Sequence, residues 1–204
     1  MKTKKYLLVG ALILSLSTPA IAQNDSYKAA LNPIISAIEA APNDVNAGKD
    51  LIKDYLKTYK KDEQALTALG NVYLAQRNFA EAMKIANSIV SNKKMNGTLG
   101  YLLLGDIVAL QDSVGNAGAA AQNYATAISL DPHNVAAYER YAKVYRHVNP
   151  QVSVQKLEEL RQVEPNYPVE ATAAEIMLAD GKYAEALSWF DKANRANLTE
   201  DNFY

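Results

Sequence analysis

The chain has 204 residues, of which 49% are hydrophobic and 21% are charged, and its formal net charge is −1. These values are typical of a globular protein that can bury a core, and they exclude a disordered chain and a protein with a strongly basic, nucleic-acid-binding surface. The sequence contains no cysteine, which excludes disulfides, thiolate metal sites and a cysteine-linked lipid anchor.

Residues 1–22 have the pattern of a cleavable secretory signal peptide. Three lysines precede an apolar run at residues 6–16, and the small-x-small sequence Ala20-Ile21-Ala22 follows it. A membrane anchor would need about twenty apolar residues, so the run is too short to span a bilayer. We therefore predict cleavage after Ala22 and an exported protein, periplasmic or secreted, with no stable membrane insertion. Loss of the three lysines changes the net charge to −4.

Residues 23–62 are predicted to form a degenerate helical cap or a partial repeat. Residues 27–41 and 44–60 both read as helices, because their apolar residues recur at spacings of three and four. In the second stretch, lysines alternate with Tyr55 and Tyr59, which indicates a solvated basic face with both rings turned inward. The first unit of a stacked helical array must show a polar face to water, and this region fits that role.

From residue 63 onward, a set of residues recurs at regular intervals. An aromatic residue followed by Ala-Glu-Ala occurs at Phe79 and again at Tyr183, and the pair Leu-Gly occurs at Leu69 and Leu104. The small residues that open successive second helices are 38, 33 and 33 residues apart. These small residues are Ala82, Ala120, Ser153 and Ala186.

The recurring pattern resembles the tetratricopeptide repeat (TPR), a helix–turn–helix unit of about 34 residues. The resemblance implies an all-α fold, specifically a right-handed α-solenoid of TPR helix-turn-helix repeats. We assign the repeats to residues 63–97, 98–134, 135–166 and 167–200. Residues 201–204 read as the start of a further helix, so we expect the natural chain to continue beyond Tyr204 or this chain to be a fragment. Within the fourth repeat, the second helix matches the TPR pattern better than the first. Its matching residues are Tyr183, Ala186, Phe190 and Ala193.

The recurring small residues have a steric explanation. Two helices approach closely only where one of them carries a small side chain. We expect Tyr124 to insert into such a socket, and Pro132 to end the helix that carries it, because proline lacks a backbone N–H. The motif is therefore predicted to be core rather than binding site. The predicted sockets for neighbouring aromatic rings are Gly70, Ala82, Gly105, Ala120 and Ala127.

No motif in the sequence indicates catalysis. The two histidines, His133 and His147, lie outside any metal-binding spacing, and there is no glycine-rich phosphate loop, nucleophile elbow or thiol. We therefore predict that the protein is not an enzyme and uses no metal or cofactor.

The TPR resemblance implies a peptide-binding groove lined by the first helix of each repeat. In that family, positions shortly after the Leu-Gly pair commonly face the ligand. The alternative is that these polar residues are only the solvated side of amphipathic helices. The positions selected here are Asn71, Asp106, Lys143, Arg146 and Glu175.

Some TPR proteins grip the C-terminal carboxylate of a peptide. Asn71 and Arg140 fit that scheme, whereas the other clamp positions do not. Leu99, Leu102 and Leu103 instead favour an apolar patch in the groove, which would suit an amphipathic helix or an extended hydrophobic peptide.

The turn at residues 110–119 is longer than the repeat requires. Asp112-Ser113-Val114 within it resembles the acceptor pattern of some bacterial O-glycosylation systems, and an ordinary flexible loop is the alternative.

The sequence as a whole predicts an adaptor or scaffold of the bacterial envelope, with a protein or peptide partner and no nucleic acid. One alternative is the N-terminal periplasmic sensory region of a longer signalling protein. Another is the helical scaffold of an outer-membrane glycan-binding protein.

Overall fold

The computed structural model describes residues 26–41, 44, 46–111 and 115–193, and within these ranges it contains ten α-helices and no strand. No helix in this part of the chain is both long and apolar enough to cross a membrane. The predicted signal peptide, Ser113 and residues 201–204 lie outside the described residues. The helices are α1 Ser26–Ala40, α2 Lys49–Tyr59, α3 Glu63–Ala75, α4 Phe79–Val90, α5 Thr98–Gln111, α6 Ala117–Leu130, α7 Val135–Tyr145, α8 Pro150–Val163, α9 Val169–Ala179 and α10 Tyr183–Lys192.

Helices α3 to α10 form four successive helix–turn–helix pairs. Each helix packs against its partner in the pair, and the second helix of a pair also packs against the first helix of the next one. The core is therefore continuous along the stack, with apolar clusters around α1 to α5, α5 to α7 and α7 to α10. This stacking places the first helices of neighbouring pairs side by side.

Short polar side chains determine where several helices begin. The Asp62 side chain accepts a hydrogen bond from the Ala65 backbone N–H at 3.0 Å, at the start of α3. An asparagine does the same for α4, α7 and α8, because its side-chain oxygen satisfies an N–H that has no partner within the helix. These asparagines are Asn78, Asn134 and Asn149.

The cap differs in one respect from its prediction. The second helix begins at Lys49 rather than at residue 44, because the Asp44 side chain accepts the Asn46 N–H at 2.9 Å and holds the chain in a turn. Tyr55 is buried as expected, and its hydroxyl donates to the Ala65 carbonyl at 2.9 Å, which ties the cap to α3. Tyr59 is half-buried beside it, with the two ring centroids 4.7 Å apart.

The socket at Gly105 is occupied as the sequence predicts. A Cβ atom on Gly105 would lie 2.7 Å from Cδ1 and 2.8 Å from Cζ of Tyr124, so only glycine leaves room for the ring. The prediction for Gly70 is wrong in the identity of the occupant. Its neighbour is Leu103 of α5 rather than an aromatic ring, because the first helix of the next repeat, and not only the partner helix, packs against α3.

The turns inside the first and last pairs share one conformation. Arg77 follows α3 with a φ of 57°, and Gly181 follows α9 with a φ of 73°. In both turns the next residue donates its N–H back across the turn: Asn78 to Tyr73 and Lys182 to Met177, each at 2.9 Å. This left-handed conformation favours glycine, so Arg77 is strained where Gly181 is not.

A carboxylate connects the first two repeats. Glu63, the first residue of α3, accepts hydrogen bonds from the backbone N–H groups of Gly97 at 3.2 Å and of Leu99 at 2.8 Å. These N–H groups belong to the start of α5, where a helix has unpaired donors and a partial positive charge. A side chain of one repeat thus caps the leading helix of the next.

The last pair departs from the prediction that the recurring positions are core. Ala186 is buried, but Tyr183 is 71% exposed and Phe190 is 46% exposed. In earlier pairs the next first helix covers the corresponding face, and within residues 26–193 no helix follows α10. Leu178 of α9 and Leu187 of α10 are exposed as well.

Candidate functional site

Two of the predicted site residues form an ion pair between neighbouring repeats. Asp106 lies on α5 and Arg140 lies on α7, and Arg140 Nη1 is 2.9 Å from Asp106 Oδ2. Only 24% of the Arg140 side chain and 20% of the Asp106 side chain are exposed, so solvent screens the pair less than it would on an open surface. The pair therefore fixes the relative position of two first helices.

Tyr124 of α6 holds the Asp106 side of this ion pair in place. Its ring crosses α5 at Gly105, and its hydroxyl donates to Asp106 Oδ1 at 2.8 Å. Burial raises the pKa of Asp106, while the Arg140 charge and the Tyr124 hydrogen bond act in the opposite direction. Burial and the nearby Asp106 carboxylate raise the pKa of Tyr124 well above its ordinary value, so its hydroxyl stays protonated and remains a donor.

Sequence reasoning missed this role of Tyr124, which was predicted only to fill space. A signal was present in the sequence, because Asp106 directly follows the glycine that admits the ring. A tyrosine rather than a phenylalanine opposite a Gly-Asp pair can both fill the socket and donate to the carboxylate.

Two further predicted cations follow the ion pair toward the C-terminal end of α7, Lys143 on the helix and Arg146 directly after it. Lys143 and Arg146 follow Arg140 at successive three-residue intervals, which places them toward one side of the helix. Lys143 is exposed, and it pairs with no other described residue. Arg146 is half-buried, and its Nε is 3.0 Å from Nε2 of His147.

The structure places the other two polar candidates on separate helices. Asn71 is exposed on α3 and Glu175 is exposed on α9, and neither side chain has a hydrogen-bond or ion-pair partner among the described residues. They are available to a partner, but the structure does not bring them into contact with the Asp106–Arg140 pair.

The predicted apolar patch in the groove is wrong for two of its three leucines. Leu102 is 3% exposed and Leu103 is 1% exposed, so neither can anchor a ligand in this conformation. Leu102 belongs to the core between α5, α6 and α7, and Leu103 fills the space above Gly70. The physical reason is that α5 packs against α3, α4 and α6 together, so nearly its whole circumference is buried.

The structure gives little support to a carboxylate clamp formed by Asn71 and Arg140. Arg140, one of the two residues that fit it, already pairs with Asp106. Asn71 is on α3, two first helices away. Within the described part of the chain, no group of three or more His, Asp or Glu side chains could hold a metal ion.

Comparison with solved structures shows the fold class. TTC0263, a thermophilic TPR protein of Thermus thermophilus, is 20% identical and superimposes with a TM-score of 0.57, covering 80% of this chain and 89% of its own. A structure of MamA protein is 18% identical with a TM-score of 0.56, covering 83% of this chain and 91% of its own. Another MamA structure is 19% identical with a TM-score of 0.54, covering 76% of this chain and 89% of its own.

These similarities confirm the predicted all-α solenoid of TPR helix-turn-helix repeats. At such identities they show the fold alone. No protein-family model matches the sequence, and no curated protein matches it significantly.

Proposed function

We propose that this protein is an exported scaffold of the bacterial envelope that binds a protein or peptide partner on the surface formed by its first helices. The observation that carries the proposal is the Asp106–Arg140 ion pair, which joins polar groups of two repeats at one place. Tyr124 and Gly105 hold this pair through core packing, so the surface is formed before any partner arrives. A preformed surface lowers the ordering cost of binding.

The charges on α7 indicate the chemistry of the partner. Asp106 neutralises Arg140, while Lys143 near the end of the same helix and Arg146 directly after it add positive charge. We expect an acidic group of the partner, such as an Asp, a Glu or a C-terminal carboxylate, to lie over this end of α7. Charge complementarity of this kind steers association and selects among partners.

Export rests on the N-terminal sequence alone. The lysines and the apolar run have the pattern of an export signal, and the small residues Ala20 and Ala22 have the pattern of its cleavage site. The protein purified from its native cells should have the mass of a chain that begins at Gln23 and should fractionate with the envelope. An intact chain beginning at Met1 in the cytoplasm would contradict export.

Site-specific photo-crosslinking in those cells tests the binding surface. A photoreactive residue in place of Lys143 or Asn71 should capture the same partner, because both positions lie on first helices. Lys84 provides the matched control, since it is an exposed lysine on a second helix. A partner captured equally from Lys84, or captured from none of these positions, would refute the proposal.

A further inference from the structure

The last described helix carries an exposed apolar stripe. Tyr183, Leu187 and Phe190 recur along α10 at spacings of four and three, which places them on one side of the helix. Their exposed fractions lie between 46% and 71%. Within residues 26–193 no helix covers this stripe, whereas α4 and α6 each pack against the first helix of the next pair. An unpartnered face of large apolar side chains is a candidate interaction surface.

The outer side of α1 has the opposite character. Five exposed residues with short, uncharged side chains recur there at i, i+3, i+4, i+7 and i+11, so they form a continuous stripe along the helix. The stripe lies opposite the side of α1 that is buried in the core through Leu31, Ile34 and Ile38. The five residues of the stripe are Ala29, Asn32, Pro33, Ser36 and Ala40.

Large side chains of a second helix meet a small residue of the next first helix at the joint between α4 and α5. A Cβ atom on Gly100 of α5 would lie only 2.9 Å from Cγ2 of Ile89 and 2.9 Å from Cγ2 of Val90, both on α4. In the stack, α1 has the place of a first helix, because it packs against α2 and α3 as α3 packs against α4 and α5. The outer stripe of α1 therefore has the size complementarity that a joint with α10 requires.

The two ends of the stack carry opposite charge. Residues 26–61, which form the cap, contain six lysines and four acidic residues, so their formal net charge is +2. Residues 169–193, which contain α9 and α10, have five acidic residues and two lysines, so their formal net charge is −3. Opposite potentials attract and like potentials repel, so the cap of one molecule is a better neighbour for α10 than a second α10 is.

We propose that a second copy of this chain docks its α1 stripe on the α10 stripe, so that molecules associate head to tail. This inference goes beyond the proposed function, since the contact requires no other protein. The contact is heterologous, so a pair of molecules still presents one stripe of each kind and further copies can add. Three large side chains fall short of the roughly 800 Å² per partner of a stable interface, so the association is weak and transient.

Sedimentation velocity tests the association on protein purified from its native cells, in the form in which those cells process it. Between about 10 µM and 1 mM, the weight-average mass should rise beyond that of a dimer. Raising NaCl from about 0.05 to 0.5 M should weaken association about threefold, because salt screens the opposite charges.

Variants at exposed positions test which stripes meet. Leu187→Gln should weaken association about tenfold, because a leucine is lost from a small interface, and Ser36→Gln should do the same by separating the helices. Two matched controls should leave association unchanged. Ser188→Gln alters an exposed residue about 100° around α10 from Leu187, and Ser36→Ala keeps a short side chain on α1.

Crosslinking tests the orientation, because the natural chain has no cysteine. A short bismaleimide should join Leu187→Cys to Ser36→Cys when the two variants are mixed, and should join neither variant to itself. Ser188→Cys in place of Leu187→Cys should give little product. The proposal is overturned if the protein stays monomeric throughout, as it would if residues 194–204 or another protein occupied the stripe. It is also overturned if Leu187→Cys joins to itself, if salt strengthens association, or if Leu187→Gln and Ser36→Gln associate normally.

Discussion

Replacing Gly105 with alanine should destabilise the protein, although alanine is the better helix former. The added Cβ would lie 2.7 and 2.8 Å from two carbons of the Tyr124 ring. The optimal separation of non-bonded carbon atoms is about 3.5–4.0 Å. The ring is almost fully buried, so it can relieve the overlap only by moving the helices apart or by pulling its hydroxyl away from Asp106. The helix gains about 0.8–1.0 kcal/mol from losing a glycine.

The opposing costs are larger. Overpacking a core typically costs about 1–3 kcal/mol, and a hydrogen bond to a charged group contributes about 1.5–3 kcal/mol. We therefore expect Gly105→Ala to lower the free energy of unfolding by about 0.5–2 kcal/mol after the helix gain is subtracted, whichever of the two costs applies. Urea denaturation followed by circular dichroism at about 222 nm measures the change as a shift in midpoint at constant slope.

Gly118→Ala provides the control, because a Cβ on Gly118 meets nothing within 4 Å. This change should leave stability unaltered or raise it by up to about 0.5 kcal/mol, since the residue lies in the first turn of α6. In a Tyr124→Leu background the penalty of Gly105→Ala should largely disappear. If Gly105→Ala were as stable as the unaltered protein, or if its penalty persisted without the ring, the socket explanation would be wrong.

Three other features described above, a left-handed turn, the ion pair and a buried tyrosine, can be tested in the same way. Arg77→Gly should raise the free energy of unfolding by about 1 kcal/mol, because glycine accepts the left-handed turn, and Gly181→Ala should lower it by a similar amount in the same denaturation assay. Asp106→Asn should lower the free energy of unfolding by about 1–3 kcal/mol, since Arg140 would lose its charged partner in a largely buried setting. The double variant Asp106→Asn/Arg140→Met should recover part of this loss. If it recovers none, the loss does not come from the unpaired arginine. Burial raises the pKa of Tyr55, so the folded state retains a proton that the unfolded state releases above about pH 10, and stability should fall as pH rises beyond that value. Melting temperatures between about pH 9 and 11 should decline, with a shallower decline for Tyr55→Phe; equal slopes would contradict the assignment.

Local spacing was enough to predict the helix pairs and the Gly105 socket. Both depend on residues that are close in sequence, since Gly105 and Tyr124 belong to the two helices of one repeat, whereas the occupant of the Gly70 socket comes from the next repeat. The start of α2 was harder to predict, because residues 44–48 have helical spacing while the Asp44 side chain forms a competing turn.

The site was predicted less well than the fold, and α5 shows why. This helix is apolar around almost its whole circumference, so periodicity cannot show which leucines face outward. Leu102 and Leu103 are buried because three other helices surround α5. The polar candidates followed from the family pattern, yet the contact between Asp106 and Arg140 depends on how two repeats stack, which no short stretch of sequence contains.

The Glu63 carboxylate bears on how the array responds to force. Because it holds two N–H groups at the start of α5, bending the first joint requires breaking charge-assisted bonds as well as sliding apolar surfaces. Thr98 and Val135, which begin α5 and α7, have no carboxylate and cannot make the same charge-assisted bonds to the repeat that follows. The later joints have other charged contacts, Arg140 with Asp106 between α5 and α7 and Arg161 with Glu170 between α8 and α9, so each joint should resist bending through a different polar contact.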